Sequence, residues 1–282
     1  MKRLLYGVVA WGVLVGFSGR AKAQYVFTTI EVPGPAETNP TGINGSGQIV
    51  GTYYDDFDDS HGFLRDVDGT YTTLDVPGSY ATNANGINNA GQIVGSDGFH
   101  GYLRDVDGTY TTIDVPGAIS TVAKGINDAG QIVGQYNDAG GTGHGYLRDV
   151  DGSYTTLDPP GSTFTYAYGI NDLGQIVGVY FEDFPYFAHG FLLSDGSYTT
   201  LDVPGATETA AYGNNGAGQI VGGYDAGGPE HGYLRDVDGT YTTIDVPGAD
   251  QTFAIGINAS GQIVGYYGAT GTIHGFLATP VP

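Results

Sequence analysis

A ten-residue motif, Gly-Ile-Asn-Asp-Ala-Gly-Gln-Ile-Val-Gly at positions 125–134, occurs in six close copies along this chain. The other copies begin at Gly42, Gly86, Gly169, Gly213 and Gly256, so that successive starts lie 44, 39, 44, 44 and 43 residues apart. Repeats of this length are typical of folds in which each repeat forms one small sheet. Gly is abundant, at 50 of 282 residues, and no long stretch shows helical periodicity. The sequence therefore predicts an all-β protein.

Each repeat contains four predicted strands separated by short turns. In the third repeat the strands are expected at 121–127, 131–134, 144–147 and 153–158. Asn127-Asp128-Ala129-Gly130 predicts a bulged hairpin turn after the first strand, and Asp149-Val150-Asp151-Gly152 predicts an Asp-Gly hairpin turn after the third. A Pro-Gly pair, such as Pro116-Gly117, then predicts a type II turn between repeats. Each repeat is therefore expected to form one four-stranded antiparallel blade.

The two ends of the repeat array are complementary. Residues 25–34 read as a lone fourth strand with its Pro-Gly turn, whereas the array ends after the third strand at 274–277. Pairing these two segments would complete the last blade and hide the sheet edges that an open array exposes. The sequence thus predicts a six-bladed β-propeller of four-stranded antiparallel blades, with the ring closed by the N-terminal strand. A linear solenoid, the competing architecture, has no use for this offset.

The first 23 residues predict a cleaved secretory signal peptide, and residues 24–282 a single propeller domain. Lys2 and Arg3 precede an apolar run at 4–17, and Ala21-Lys22-Ala23 forms a small-x-small cleavage site. This apolar run is shorter than the roughly 18 residues expected of a membrane span. We therefore expect no membrane span after cleavage and a secreted, extracellular or periplasmic location. The chain has no cysteine, so its stability is expected to depend on the core and on closed hydrogen-bond ladders.

The chain is strongly acidic once the predicted signal peptide is removed. From Gln24 onward, 30 acidic residues stand against Arg65, Arg104, Lys124, Arg148 and Arg235, a net charge of −25. Phosphate backbones and anionic lipid surfaces repel such a chain, which excludes nucleic acid as an expected partner. The expected partner is an extracellular glycan or protein of unknown identity, and the chain is expected to be a monomer.

The predicted topology separates constant segments from variable ones. The turns between strands one and two and between strands three and four lie on one face of the ring, which we call the turn face. The links between strands two and three and between blades lie on the opposite face, which we call the variable face. Its segments differ between repeats, at 52–60, 96–99, 135–143, 179–188, 223–230 and 266–273. Loops on a rigid scaffold often carry binding groups, so the variable face is the expected working surface.

Two variable segments combine aromatic rings with carboxylates. Rings offer flat stacking surfaces, and carboxylates accept hydrogen bonds from hydroxyl groups, as a glycan site requires. The alternative is a pair of solvated loops whose rings pack on neighbouring blades. The candidate ligand-binding residues are Tyr53, Tyr54, Asp55, Asp56, Phe57, Phe181, Glu182, Asp183, Phe184 and Tyr186.

Six histidines occupy the same position in each repeat, before Gly and an aromatic residue. They are His61, His100, His144, His189, His231 and His274. Ring symmetry could bring them together around a metal ion, but a metal site needs a few unlike groups that converge. We therefore interpret them as a structural hydrogen bond repeated once per blade. Turns such as Asp66-Val67-Asp68-Gly69 resemble the start of a calcium loop without its further ligands. No metal site and no cofactor are expected, and calcium binding is left open.

No known catalytic motif occurs in the sequence. It has no cysteine nucleophile, no Gly-x-Ser-x-Gly elbow and no Gly-rich phosphate loop. The arginines share one repeated turn position, so they are not expected to converge as a sialidase site requires. The expected function is a non-enzymatic binding or scaffold propeller. One alternative is a glycosidase or lyase that uses Asp56, Asp59, Glu182 and Asp183. Another is a structural matrix component.

The repeat resembles the HAF-type bacterial extracellular repeat family. In that family a Gly-Ile-Asn and Gly-Gln-Ile-Val-Gly stretch precedes a His-small-Phe element, which residues 125–134 and 144–147 match. The resemblance covers essentially all of 24–282, although Gly145 stands where the family often has Ala, and Asn214 replaces Ile. It implies export from a bacterium and a propeller-like fold, and it carries no established activity.

Overall fold

The computed structural model describes residues 24–34, 37–55, 57–182 and 187–281. These residues form 24 β-strands in six four-stranded antiparallel sheets and contain no helix. Each sheet is one blade of a ring, which confirms the predicted six-bladed β-propeller.

The strands follow the chain from blade to blade. Blade 1 contains β2 (Glu37–Ile43), β3 (Ile49–Tyr54), β4 (Ser60–Arg65) and β5 (Tyr71–Leu74). Blade 2 contains β6 (Asn83–Ile87), β7 (Ile93–Ser96), β8 (Gly101–Arg104) and β9 (Tyr110–Ile113). Blade 3 contains β10 (Ser120–Ile126), β11 (Ile132–Asn137), β12 (Gly143–Arg148) and β13 (Tyr154–Leu157). Blade 4 contains β14 (Phe164–Ile170), β15 (Ile176–Phe181), β16 (Ala188–Ser194) and β17 (Ser197–Leu201). Blade 5 contains β18 (Glu208–Asn214), β19 (Ile220–Asp225), β20 (His231–Arg235) and β21 (Tyr241–Ile244). Blade 6 contains β22 (Gln251–Ile257), β23 (Ile263–Ala269), β24 (Thr272–Pro280) and β1 (Tyr25–Ile30).

Blade 6 is completed by the N-terminal strand. Strand β1 pairs antiparallel with β24, in a register that runs from Tyr25 opposite Pro280 to Ile30 opposite Gly275. The Phe27 ring packs edge-on against Phe276, with ring centroids 5.7 Å apart. The pairing confirms that the complementary ends of the array close the ring.

The core lies between neighbouring blades. One representative cluster joins Val133 and Leu157 of blade 3 to Ala167, Ile170 and Phe191 of blade 4, all buried. Equivalent clusters occur at the other blade interfaces. Burial of each large apolar side chain contributes about 1.5–3 kcal/mol, so stability is distributed evenly around the ring.

The asparagines that all six copies of the repeat motif share form a closed ring of hydrogen bonds around the propeller axis. In each blade the asparagine Nδ2 donates to the backbone oxygen of the equivalent asparagine in the next blade, at 3.0–3.3 Å. The six residues, in ring order, are Asn44, Asn88, Asn127, Asn171, Asn215 and Asn258. Each side chain also bonds the Gln four residues later, as Asn127 does with Gln131. The turn residue therefore connects blades as well as closing its own hairpin.

The first strand of every blade contains a β-bulge at the same place. In blade 3 the pairing shifts between Ala123 and Gly125, which leaves Lys124 as the extra residue. A bulge changes the direction in which the side chain of its extra residue points. Here that side chain lines the central channel. A Cβ atom at Gly125 would lie 2.7 Å from the Tyr168 carbonyl oxygen in the next blade, which explains why glycine follows the bulge. The six extra residues, which we call the bulge residues, are Thr41, Asn85, Lys124, Tyr168, Tyr212 and Ile255.

Candidate active site at the variable-face end of the channel

The bulge residues line a cavity within the central channel. This channel cavity has a volume of about 220 Å³. It is lined by the six bulge residues and by Tyr266 of β23. Because the six blades contribute five different types of side chain at the bulge, the six-fold backbone produces an asymmetric and chemically diverse cavity.

Lys124 is the basic group of this cavity. The structure places the Lys124 Nζ 5.7 Å from the ring centroid of Tyr168. In the described part of the chain, no carboxylate forms an ion pair with it. Part of its side chain is accessible from the cavity, yet dense surrounding protein desolvates the amine and lowers its pKa to about 8. The four arginines instead end the third strands of their blades, at the turn face. Three of them stack on tyrosine rings there.

Three tyrosines complete the wall opposite the small polar bulge residues. The rings of Tyr168 and Tyr212 meet edge-on, with centroids 5.1 Å apart. Burial raises the pKa of both phenols well above the usual value, and it raises the pKa of Tyr266 to about 12. All three phenols therefore stay protonated near neutral pH and can act as hydrogen-bond donors.

A second cavity lies between blades 4 and 5 and adjoins the channel cavity. This side cavity has a volume of about 180 Å³ and shares Tyr168 and Tyr212 with the channel cavity. Tyr166 and Phe181, whose rings pack edge-on at 6.0 Å, contribute further aromatic surface. Its wall therefore offers several rings on which a flat, partly apolar ligand can stack.

Three carboxylates line the same side cavity. Glu208 and Asp225 lie directly opposite each other on β18 and β19, and Glu230 follows on the next loop. Asp225 Oδ1 accepts hydrogen bonds from the backbone nitrogens of Gly227 and Gly228. Burial, and then the negative charges of Asp225 and Glu208, raise the pKa of Glu230. Glu230 therefore retains its proton to higher pH than an ordinary glutamate does.

Two other hollows are weaker candidates. The two carboxylates that line one of them, Asp128 and Asp172, already accept hydrogen bonds from the neighbouring blade. A cavity of about 100 Å³ at the turn-face end of the channel is lined by the asparagine ring, whose side chains are hydrogen-bonded to one another's backbones. A wider hollow of about 560 Å³ at the outer side of blades 4 and 5 is lined by no carboxylate or amine. The channel cavity and the side cavity are therefore the stronger candidates.

The predicted binding residues of blade 1 mainly shape their own loop. Tyr53 stacks on His61, with centroids 5.1 Å apart, and its hydroxyl lies 3.1 Å from Thr73 Oγ1. Asp55 Oδ1 accepts hydrogen bonds from the nitrogens of Phe57 and Asp59, which lower the Asp55 pKa. Tyr54 is half-buried and Phe57 is 85% exposed. Asp56 lies outside the described residues. A binding role for these residues stays a prediction.

The predicted residues of blade 4 divide between the side cavity and the loop beyond it. Phe181 lines the side cavity, whereas Glu182 is exposed at the end of the strand. Asp183, Phe184 and Tyr186 lie outside the described residues. Blades 1 and 4 face each other across a six-bladed ring, so the loop acids of the two blades do not form one described cluster.

Five of the six histidines lie on the third strands and His100 immediately precedes one, all away from the axis. Each Nδ1–H donates to a carboxylate beyond the fourth strand of its own blade, as His144 does to Asp158 at 2.7 Å. The other acceptors are Asp75, Asp114, Asp202, Asp245 and, from β1, Glu31. This is the geometry expected of a structural contact repeated once per blade.

The Asp-x-Asp-Gly turns use their carboxylates within the turn. Asp66 Oδ1 accepts from Val67 N, and Asp68 Oδ1 accepts from Thr70 N, both at 2.9 Å. Within the described ranges, no group of three or more His, Cys, Asp or Glu side chains is arranged to hold a metal ion. The described residues also contain no helix that is long and apolar enough to cross a membrane. The predicted signal peptide, residues 1–23, lies outside them.

Solved structures share the propeller fold. Neither a protein-family model nor a curated protein sequence matches the chain. The chain is similar in structure to a gluconolactonase from Xanthomonas campestris, with 14% sequence identity and a TM-score of 0.56. The match covers 92% of this chain and 90% of that chain. A catalytically inactive virginiamycin B lyase from Staphylococcus aureus gives 12% identity and a TM-score of 0.56, with 92% and 100% covered. A luciferin-regenerating enzyme gives 12% identity and a TM-score of 0.55, with 92% and 96% covered. At these identities the likeness shows the fold alone.

These comparisons contradict the prediction that the protein is not an enzyme. Solved propellers of the same fold include a gluconolactonase, a lyase and a luciferin-regenerating enzyme. The prediction rested on the lack of a linear catalytic motif. A propeller can assemble a site from single residues of different blades, as in the channel cavity. Such residues are far apart in the sequence, so they form no linear motif.

Sequence reasoning missed the residues that line the two cavities. Lys124, Tyr168 and Tyr212 occupy the bulge position, and Glu230 lies in a variable loop. A signal was present, because the bulge position holds five different residue types in the six copies, while the adjoining Gly and the following Asn do not change. A variable position inside an otherwise constant strand motif points to a side chain that faces a shared space rather than the core.

Proposed function

We propose that the protein is an extracellular glycan-active enzyme whose reaction takes place in the side cavity. The observation that supports this proposal is the set of carboxylates Glu208, Asp225 and Glu230 beside aromatic rings, with a raised pKa on Glu230. Titratable groups whose environments push their pKa values apart, in an open cleft, are candidates for an acid–base pair. Because solved propellers of this fold include enzymes, the fold is compatible with catalysis.

The raised pKa of Glu230 decides which carboxylate acts as the general acid. Glu230 acts as the general acid that protonates the leaving oxygen of a glycosidic bond, because it holds its proton to higher pH. Asp225 or Glu208 supplies the second carboxylate, which glycoside hydrolysis requires on the other side of the scissile bond. Tyr166 and Phe181 provide rings for stacking, and the phenol of Tyr212 can donate to a sugar hydroxyl.

The test is a screen of the purified protein against neutral and acidic polysaccharides, with detection of new reducing ends. Glu230→Gln is expected to lose about 10²–10⁴-fold in rate on any substrate found, the usual contribution of a general acid. Glu182→Gln changes a loop carboxylate outside the side cavity and is the matched control, with activity expected near wild type. Unsaturated products instead of new reducing ends alone would identify a lyase rather than a hydrolase.

The pH dependence gives a second readout. Because the general acid must be protonated, activity is expected to fall as the pH rises through the Glu230 pKa, which lies above 4.5. Asp225→Asn removes a nearby negative charge, so NMR titration of this variant is expected to show a lower Glu230 pKa than in the wild type. Activity is not the readout for this variant, because Asp225 is itself a candidate for the second carboxylate. Full activity of Glu230→Gln on the best substrate would rule out the proposed role.

A further inference from the structure

The amine of Lys124 lies in the channel cavity, and the reaction proposed for the side cavity does not use it. It extends from the bulge of β10 into a cavity of about 220 Å³ that is open from the variable face. The other lining groups are Thr41, Asn85, Tyr168, Tyr212, Ile255 and Tyr266, contributed by all six blades. The titratable groups that face the amine are therefore phenols, and no carboxylate lines this cavity.

Lys124 has no carboxylate beside it in the cavity, although the chain is strongly acidic. From Gln24 onward the chain has 30 acidic residues and only one lysine, yet that lysine lies where no described acid pairs with it. If its role were to hold the channel together as an ion pair, a carboxylate would be its neighbour. Its described contact is the face of the Tyr168 ring, 5.7 Å from Nζ. The nitrogen is therefore held toward the cavity and left without a partner of opposite charge among the described residues.

We propose that Lys124 binds small aldehydes or ketones covalently, as an imine, in the channel cavity. The neutral amine nitrogen attacks the carbonyl carbon, and a C–N bond forms as the carbonyl π electrons move to oxygen. A proton moves from nitrogen to that oxygen, which gives a carbinolamine. Loss of the hydroxyl group with a further proton, as one water molecule, gives the imine, so no oxidant or reductant is needed.

The cavity wall suits each stage of this reaction. The three phenols stay protonated, so they can donate hydrogen bonds to the oxygen on which negative charge develops. A volume of about 220 Å³ corresponds to roughly seven waters at ~30 Å³ each, which limits the ligand to a small carbonyl compound. The chemical class expected is a hydroxyaldehyde or hydroxyketone, because Thr41, Asn85 and the tyrosines supply polar partners for hydroxyl groups.

The protonation state of Lys124 supports this reactivity. Desolvation lowers its pKa from 10.5 to about 8. At neutral pH the neutral, nucleophilic fraction is then roughly 300-fold larger than for an ordinary lysine. Lysines activated by desolvation in this way are established nucleophiles toward carbonyl substrates.

The experiment is reductive trapping on the purified full chain. Glyceraldehyde is added with sodium cyanoborohydride, which delivers hydride to the imine carbon and makes the link permanent, and peptide mass spectrometry locates the adduct. Lys124 is expected to be labelled at least ~10-fold faster than Lys2, Lys22 or the chain terminus where these are present. Lys124→Met and Lys124→Arg are expected to lose this fast labelling while they keep wild-type circular dichroism.

Two results would overturn the proposal. One is labelling of Lys124 that is no faster than that of the other amines. The other is fast labelling that persists in the folded Lys124→Arg variant, which would place the adduct elsewhere. The assay does not depend on glycan turnover, so it separates this inference from the proposed function. If Lys124 labels rapidly and no polysaccharide is cleaved, the covalent site stands and the glycan proposal fails.

Discussion

The asparagine ring allows a quantitative prediction about stability. In the Asn127→Ala variant the Nδ2 bonds to the Asn171 oxygen and to Gln131 Oε1 are lost, and so is the bond from Gln131 N to Asn127 Oδ1. Asn127 is 3% exposed, so water cannot easily replace these partners. At about 1 kcal/mol for each of the lost bonds, the free energy of unfolding should fall by about 3 kcal/mol.

The assay is urea unfolding, followed by far-ultraviolet circular dichroism. With a slope of about 3 kcal/mol per molar, a loss of this size lowers the unfolding midpoint by about 1 M. Asn137→Ala is the matched control in the same blade, because that side chain donates one partly buried bond, to Ser120 Oγ. Its cost should stay at or below about 1 kcal/mol.

Asn127→Asp separates hydrogen bonding from packing. Aspartate keeps the shape of the side chain and the acceptor for Gln131 N, but it replaces the donor with a second acceptor that faces the Asn171 oxygen. We therefore expect this variant to be destabilised at neutral pH at least as much as Asn127→Ala. A near-neutral effect of Asn127→Asp, or an Asn127→Ala cost no larger than that of Asn137→Ala, would refute the role given to the ring.

Three further predictions concern the backbone, the histidines and the closure of the ring. Gly125→Ala should lower the free energy of unfolding in urea by well over 1 kcal/mol, because the new Cβ atom would lie 2.7 Å from a carbonyl oxygen. In the control Gly216→Ala the Cβ atom would have nothing within 4 Å, so the change should be less than about 0.5 kcal/mol. The hydrogen bond that His61 Nδ1–H donates to Asp75 raises the His61 pKa above 6.5, so the stabilisation from this bond is complete below pH 6.5 and is lost as the pH rises through the raised pKa. NMR titration should show a lower His61 pKa in Asp75→Asn, and an unchanged value would contradict this. Ile30→Ala should cost about 2–5 kcal/mol if β1 completes blade 6 in solution, and a surface-like loss below 0.5 kcal/mol would contradict the closure.

The fold could be predicted from the sequence because its determinants are local and repeated. The strands and turns of each copy, and the complementary ends at 25–34 and 274–277, were sufficient to predict a closed ring of six blades. The sequence predicts one of the two roles of Asn127 and not the other. Its place in a hairpin turn follows from neighbouring residues, whereas its bond to Asn171 depends on how blades meet at the axis.

The candidate site could not be predicted in the same way. Whether Lys124 points to the core or to the channel depends on a bulge that shifts the strand register between Ala123 and Gly125. Glu230 acquires its raised pKa from burial and from Asp225 and Glu208, and a loop sequence does not reveal such a neighbourhood. The sequence drew attention to candidate binding residues in blades 1 and 4, and among those candidates that the structure describes only Phe181 lines the side cavity.

The proposed reaction requires a glycan to bind in the side cavity between blades 4 and 5. The most direct test is a crystal structure of the Glu230→Gln variant with an oligosaccharide of the best substrate. We expect a sugar ring stacked on Tyr166 or Phe181, with a glycosidic oxygen within hydrogen-bonding distance of the side chain at position 230. An oligosaccharide bound elsewhere, for example on the blade 1 loop at Phe57, with the side cavity empty, would contradict the account.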